Sequence, residues 1–186
     1  MELIHKYPEK AELIQLGDHC IWCWECFNFS AQYCNEKKLE NWHEIDNMLT
    51  IILKEYSFLQ ISKLHDQEKI GNFNNHTIKY VINKMPDNKL LLSAFEKFRK
   101  NNWPFIKSMK HARNKTIAHN DASDNQLGMR FGTFEHGEDI QYFNESHQLI
   151  DQMYKHAGLN LFGEWPEHTT QDIKSFINVI VGVKSC

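Results

Sequence analysis

The sequence predicts an all-α protein, an antiparallel bundle of five to seven helices, and two observations carry that prediction. Apolar residues recur at three-and-four spacing nearly throughout the chain, which is the repeat of a helix with one buried face. Glycine (8) and proline (4) are scarce among 186 residues and do not gather into a linker. With 41% hydrophobic and 24% charged side chains, the chain has the composition of a folded soluble protein. Its length suits one domain, 1–186, that buries a core without help.

The elements follow in chain order. Residues 9–35 carry Leu13, Leu16, Cys20, Cys23, Phe27 and Tyr33 at loose helical spacing. The next segment places Ile45, Met48, Leu49, Ile52, Leu53, Tyr56 and Leu59 on one face, predicted to be buried, with a helix end near Leu64. LHDQEKIGNFNN then supplies loop chemistry, and Asn75 is the expected N-cap of a short helix stopped by Pro86. A long helical region runs from about Asn88 to His119. Pro104 predicts a kink or two abutting helices there, with Pro104 in the first turn of the second and Trp103 biased away from helix. MRFGTF and DIQYF are expected to pair as a small hairpin, and two helices are expected near 144–157 and 169–182.

Several function classes are excluded at this level. The longest apolar runs, LTIIL and INVIVGV, are far shorter than the ~20 residues of a membrane-spanning helix. MELIHKYPEK lacks the order of a signal peptide, so a cytoplasmic location and free thiols at the five cysteines are expected. No Gly-rich phosphate loop, nucleophile elbow or dinucleotide fingerprint occurs.

Charge is distributed unevenly. Between Glu96 and His119 stand Lys97, Arg99, Lys100, Lys107, Lys110, Arg113 and Lys115 against one acid, Glu96. That is +6 locally in a chain of net charge −3, leaving −9 elsewhere. Such a field either holds phosphate or is a solvated helix face.

The stretch HARNKTIAHND at 111–121 separates these readings. With Phe105 as the zero of a helical wheel, Phe105, Ile106, Met109, Ala112, Thr116 and Ile117 fall in an arc from about −20° to about 120°. Lys107, Lys110, His111, Asn114 and Lys115 fall on the far side. Arg113 lands inside the apolar arc, and His119 at its edge. A guanidinium keeps its proton and five donors, so a packed position calls for an anion. That anion is either a structural acid such as Glu44 or Asp46, or a phosphate matched by the planar donor fork.

RNKTIAHND resembles the signature of HEPN domains, an arginine followed after four to six residues by histidine, often with a polar residue after the arginine. Ala118-His119-Asn120-Asp121 and the loop and short helix of KLHDQEKIGNFNNHTIKYVI resemble the abortive-infection (Abi) U2-like branch. The resemblance covers most of residues 10–180. It implies a helical bundle that forms a homodimer, and in many members a metal-independent endoribonuclease with a toxin or antiviral role. Other members are catalytically inactive nucleotide- or protein-binding modules, or partners of nucleotidyltransferases. By position it makes His119 the general base or acid, Arg113 the stabiliser of phosphate charge, and Asn114 the residue that orients the pair or the phosphate. Lys107, Lys110 and Lys115 become the RNA- and phosphate-binding lysines, with no metal and no cofactor required. An antitoxin or nucleotidyltransferase partner is compatible with the family. Asn114 points away from Arg113 on an ideal helix, so its role predicts a distorted turn. The apolar arc is expected to face a partner subunit, and the acidic total predicts a short or structured RNA.

HCIWCWECFNFSAQYC raises a metal or redox alternative. Helical spacing puts Cys20, Cys23 and Cys34 on one face as small apolar residues, whereas zinc sites use chelating pairs joined by a loop. Trp22, Trp24, Phe27 and Phe29 fit a packing helix better than a base-stacking surface. His43 and Asp46 in WHEID fit exposed or capping positions better than a metal site.

Overall fold

The computed structural model describes residues 10–36, 43–116, 134–166 and, apart from 173 and 177, 171–179. Among them the bundle is built from α1 (Ala11–Glu36), α2 (Glu44–Leu64), α3 (Ile78–Lys84), α4 (Lys89–Asn101), α5 (Trp103–Thr116) and α6 (Glu138–His156). Further helical turns lie between residues 171 and 179. Between α2 and α3 a two-residue pair, β1 (Lys69–Ile70) and β2 (Phe73–Asn74), runs antiparallel. Its turn needs Gly71, whose φ of 60° is a left-handed conformation that glycine adopts without a Cβ penalty.

The bundle is antiparallel where side chains record direction. Tyr33 meets Asp46, Trp22 meets Tyr56 and His19 meets Gln60, so α1 descends as α2 rises. Asn101 reaches Glu145, and Pro86, just before α4, meets His156, so α4 and α6 are opposed as well. The core gathers Leu16, Ile61, Ile82, Phe98, Phe105, Met109, Tyr142 and Ile150 from all six helices. Each such side chain contributes about 1.5–3 kcal/mol of apolar burial. Tyr142 stands at its centre, with ring contacts to Phe98, Phe105, Phe143 and His65.

Pro104 divides the long helical region as expected. α4 ends at Asn101, Asn102 is buried at the junction, and Pro104 sits in the first turn of α5, where a missing N–H costs nothing. Trp103 is nonetheless helical, because the first residue of a helix tolerates what an interior one would not.

Other expectations are corrected. Ile45, Met48, Ile52 and Tyr56 are exposed. The buried residues of α2 are Asp46, Ser57, Gln60, Ile61, Ser62 and Leu64, because α1 and α5 pack there, while Leu49 and Leu53 pack on Tyr33. DIQYF is helical, not a hairpin strand; MRFGT lies outside the described residues. α6 begins six residues before 144, after Gly137 turns the chain at φ 93° and places Glu138 and Asp139 in the first turn. The cap of α3 is Thr77, whose hydroxyl accepts from Tyr80 N at 3.1 Å. Asn75 instead donates to the Gln67 carbonyl at 2.7 Å and closes the hairpin loop.

Cys20 and Cys23 are buried, and burial pushes the Cys20 thiol up to about 12. Both therefore serve as small core side chains. Trp24 stacks on Trp165, Phe27 packs on Phe105 and Phe143, and Phe29 packs on Tyr33. His43 is exposed ahead of α2, and its backbone N–H donates to the Asp46 carboxylate at 2.7 Å, which caps the helix.

Gly17 marks the tightest approach to α1. A Cβ there would overlap the Tyr154 hydroxyl and meet the Phe162 ring at 3.0 Å. Ordinarily alanine gains about 1 kcal/mol over glycine inside a helix. Here Gly17→Ala is expected to destabilise by about 1–3 kcal/mol, because overpacking outweighs propensity. Chemical denaturation measures it, and a more stable variant would contradict the packing.

Candidate functional site

α5 brings the predicted arginine to the loop that follows α2. Phe105, Ile106, Met109 and Ala112 are all buried within the chain itself. This described part of the apolar arc therefore packs on the chain's own core, while Ile117 and the side chain of Thr116 lie outside the described residues. Arg113 borders that arc, and its side chain is only 21% exposed. Its anion is Asp66, not Glu44 or Asp46. Glu44 is exposed, and Asp46 is buried against Tyr33 at the other end of α2.

The geometry is a clamp. Arg113 Nη1 donates to both Asp66 oxygens at 2.6 Å. On its other edge, Nε and Nη2 donate to Asn114 Oδ1 at 3.1 and 3.0 Å. No distorted turn is needed, because the long arginine stem carries the guanidinium back to its neighbour. These four bonds to described residues set the plane of a group that has five N–H donors. Lys110, one turn earlier, donates from Nζ to the His65 carbonyl at 3.0 Å and lies 3.7 Å from Asp66 Oδ1. Two cations thus share one carboxylate, so among the described residues Arg113, Lys110 and Asp66 together carry one net positive charge.

Beneath it lies His65. Its Nε2 is 2.8 Å from the Tyr142 hydroxyl, and its ring packs against Phe98 and Tyr142. Burial, then the positive charges of Lys110 and Arg99, bring its pKa down to about 3. It is neutral and ties the loop to the core, so Asp66 is presented at a fixed place.

Arg113, Asn114 and Lys110 are therefore brought together. Lys107 is exposed one turn before Lys110. His119 and the side chain of Lys115 lie outside the described residues. Asp66 and His65 were not identified from the sequence. Their signal is position alone, one and two residues past the end of α2.

A family model covers residues 10–179, and its class is the HEPN domain. Within that class the model is that of AbiU2: the chain belongs to the HEPN AbiU2 family. Comparison with curated proteins and with solved structures returned no match. Among the described residues no helix is long and apolar enough to cross a membrane.

Proposed function

We propose that the chain is a metal-independent endoribonuclease of the HEPN type, with a toxin or antiviral role in abortive infection. The supporting observation is the half-buried Arg113, held flat by Asp66 and Asn114 beside Lys110, in the position of the family's motif arginine. In this reading a ribose 2′-hydroxyl attacks the adjacent phosphorus while His119 takes its proton. The P–O5′ bond breaks, and the leaving oxygen is protonated by the same histidine of a second copy. The products are a 2′,3′-cyclic phosphate and a 5′-hydroxyl. Arg113 stabilises charge on the non-bridging oxygens, Asn114 keeps its plane, and Lys107, Lys110 and Lys115 hold flanking phosphates.

A homodimer with a shared cleft is part of the proposal. The uncovered row Ile45, Met48 and Ile52 on α2 supplies apolar surface that a second copy would bury. A second reading, a catalytically inactive HEPN module binding a nucleotide or a regulatory protein, draws on the same clamp. Asp66 already neutralises Arg113, as a purely structural ion pair would.

RNA cleavage by the purified protein with chelator present separates the two readings. Wild type is expected to cut, with His119→Ala and Arg113→Ala each reduced by about 100-fold or more. Cleavage surviving both substitutions would sink the site. Nucleotide binding without cleavage of any RNA would favour the second reading.

A further inference from the structure

The outer row of α5 runs away from the arginine clamp and ends in an exposed indole. From Trp103, ideal helical steps place Lys107, Lys110 and Asn114 at about +40°, −20° and +20°, a single line about 16 Å long. Trp103, Lys107 and Asn114 are exposed, and the side chain of Lys110 is 29% exposed. Tryptophan is highly buried on average, so 41% exposure beside a positive row is informative. The Arg99 guanidinium lies 5.3 Å from the Trp103 ring centroid. Glu96, Arg99, Lys100 and Trp103 line an open cavity of about 280 Å³.

Arg99 and Lys110 both act on the buried His65, one from the end of α4 and the other from α5. Among the described residues Arg99 is not held elsewhere by a strong ion pair. Its contact with Glu96 is 3.9 Å long between two well-exposed side chains, a kind that contributes little.

We propose that Trp103 and Arg99 form a base-stacking platform, so that single-stranded RNA lies along the outer row of α5 with one base on the indole. The inference rests on the ribonuclease reading and adds the substrate class to it. A base in a duplex offers no free face to an aromatic side chain, whereas an unpaired one does. Lys107 then faces the phosphates between the platform and the phosphate held at Arg113, and Arg99 and Lys100 face those at the platform itself. A few nucleotides span that distance.

The test is binding of the full chain to a 2′-O-methyl oligonucleotide of about eight residues, single-stranded or as a duplex. The methyl group removes the attacking hydroxyl, so fluorescence anisotropy reads binding alone. Trp103→Ala is expected to raise the single-strand Kd by about 5- to 100-fold, with Trp103→Phe recovering most of the loss. Its salt dependence should match wild type, while Arg99→Ala should reduce the log–log slope by about one. Duplex binding should be weaker and insensitive to Trp103. Wild-type affinity in Trp103→Ala, with Lys107→Ala weakened, would overturn the platform and leave the RNA reading standing. Failure of wild type to bind either RNA would overturn both.

Discussion

Arg113→Lys is expected to reduce RNA cleavage by about 100-fold or more, nearly as much as Arg113→Ala. The charge survives this substitution, and the geometry does not. Arg113 meets the Asp66 carboxylate on one edge and the Asn114 amide on another, leaving donor capacity for a phosphate oxygen. An ammonium has three donors around one point and cannot hold all three partners in a plane. Asp66→Asn should fall between the two states. It keeps the shape but offers a single acceptor oxygen, so Arg113 and Lys110 lose their common anchor. Single-turnover cleavage measures these effects, with thermal melting as the control for folding. Wild-type rates in Arg113→Lys would mean that Arg113 acts only as a charge, and the clamp would lose its proposed purpose.

Acid should unfold the protein through His65. Its folded pKa of about 3 lies below the 6.5 of an unfolded histidine, chiefly because of burial, with Lys110 and Arg99 adding to it. Above pH 6.5 both states are neutral and the residue contributes no pH dependence. As pH falls from 6.5 towards 3 the unfolded chain takes up a proton that the folded chain refuses, and stability drops. The slope from this one group reaches about 1.4 kcal/mol per pH unit. His19, lowered mainly by burial beside Gln60, adds a slope of the same sign. Denaturant titrations across this pH range should therefore show a shallower fall in His65→Gln, which can keep a hydrogen bond to Tyr142. An unchanged slope would show that His65 takes up its proton in the folded state as it does in the unfolded one.

Much of the bundle was legible because helical periodicity is a local property. The core face of α5, the break at Pro104 and the buried stripe of α1 follow from spacing and from proline's missing N–H. The α2 face was misread for a physical reason. Periodicity shows that a stripe is apolar, but only the neighbouring helix decides which stripe is covered. α1 and α5 cover Asp46, Ser57 and Ile61 instead. DIQYF was misread because five residues are too few to distinguish a period of two from one of 3.6. The full α6 pattern, Tyr142 to Met153, settles it.

The candidate site divides in the same way. The arginine, its polar neighbour and the lysines on the far face were visible along one helix, and the wheel alone showed that Arg113 needs an anion. Which anion was beyond reach, because Asp66 lies 47 residues away and pairing at that distance is a consequence of packing α2 against α5. The asparagine's contact was likewise hidden, since a wheel places Cα–Cβ directions and not the reach of a four-atom stem. Trp103 beside Arg99 belongs partly to each level. Their spacing of four residues was there to read, but the α4–α5 break decides whether the two side chains meet. Local chemistry thus dictated which elements form and which residue demands a partner. Three-dimensional packing chose the partners, because contacts between distant segments depend on which faces the core has already consumed.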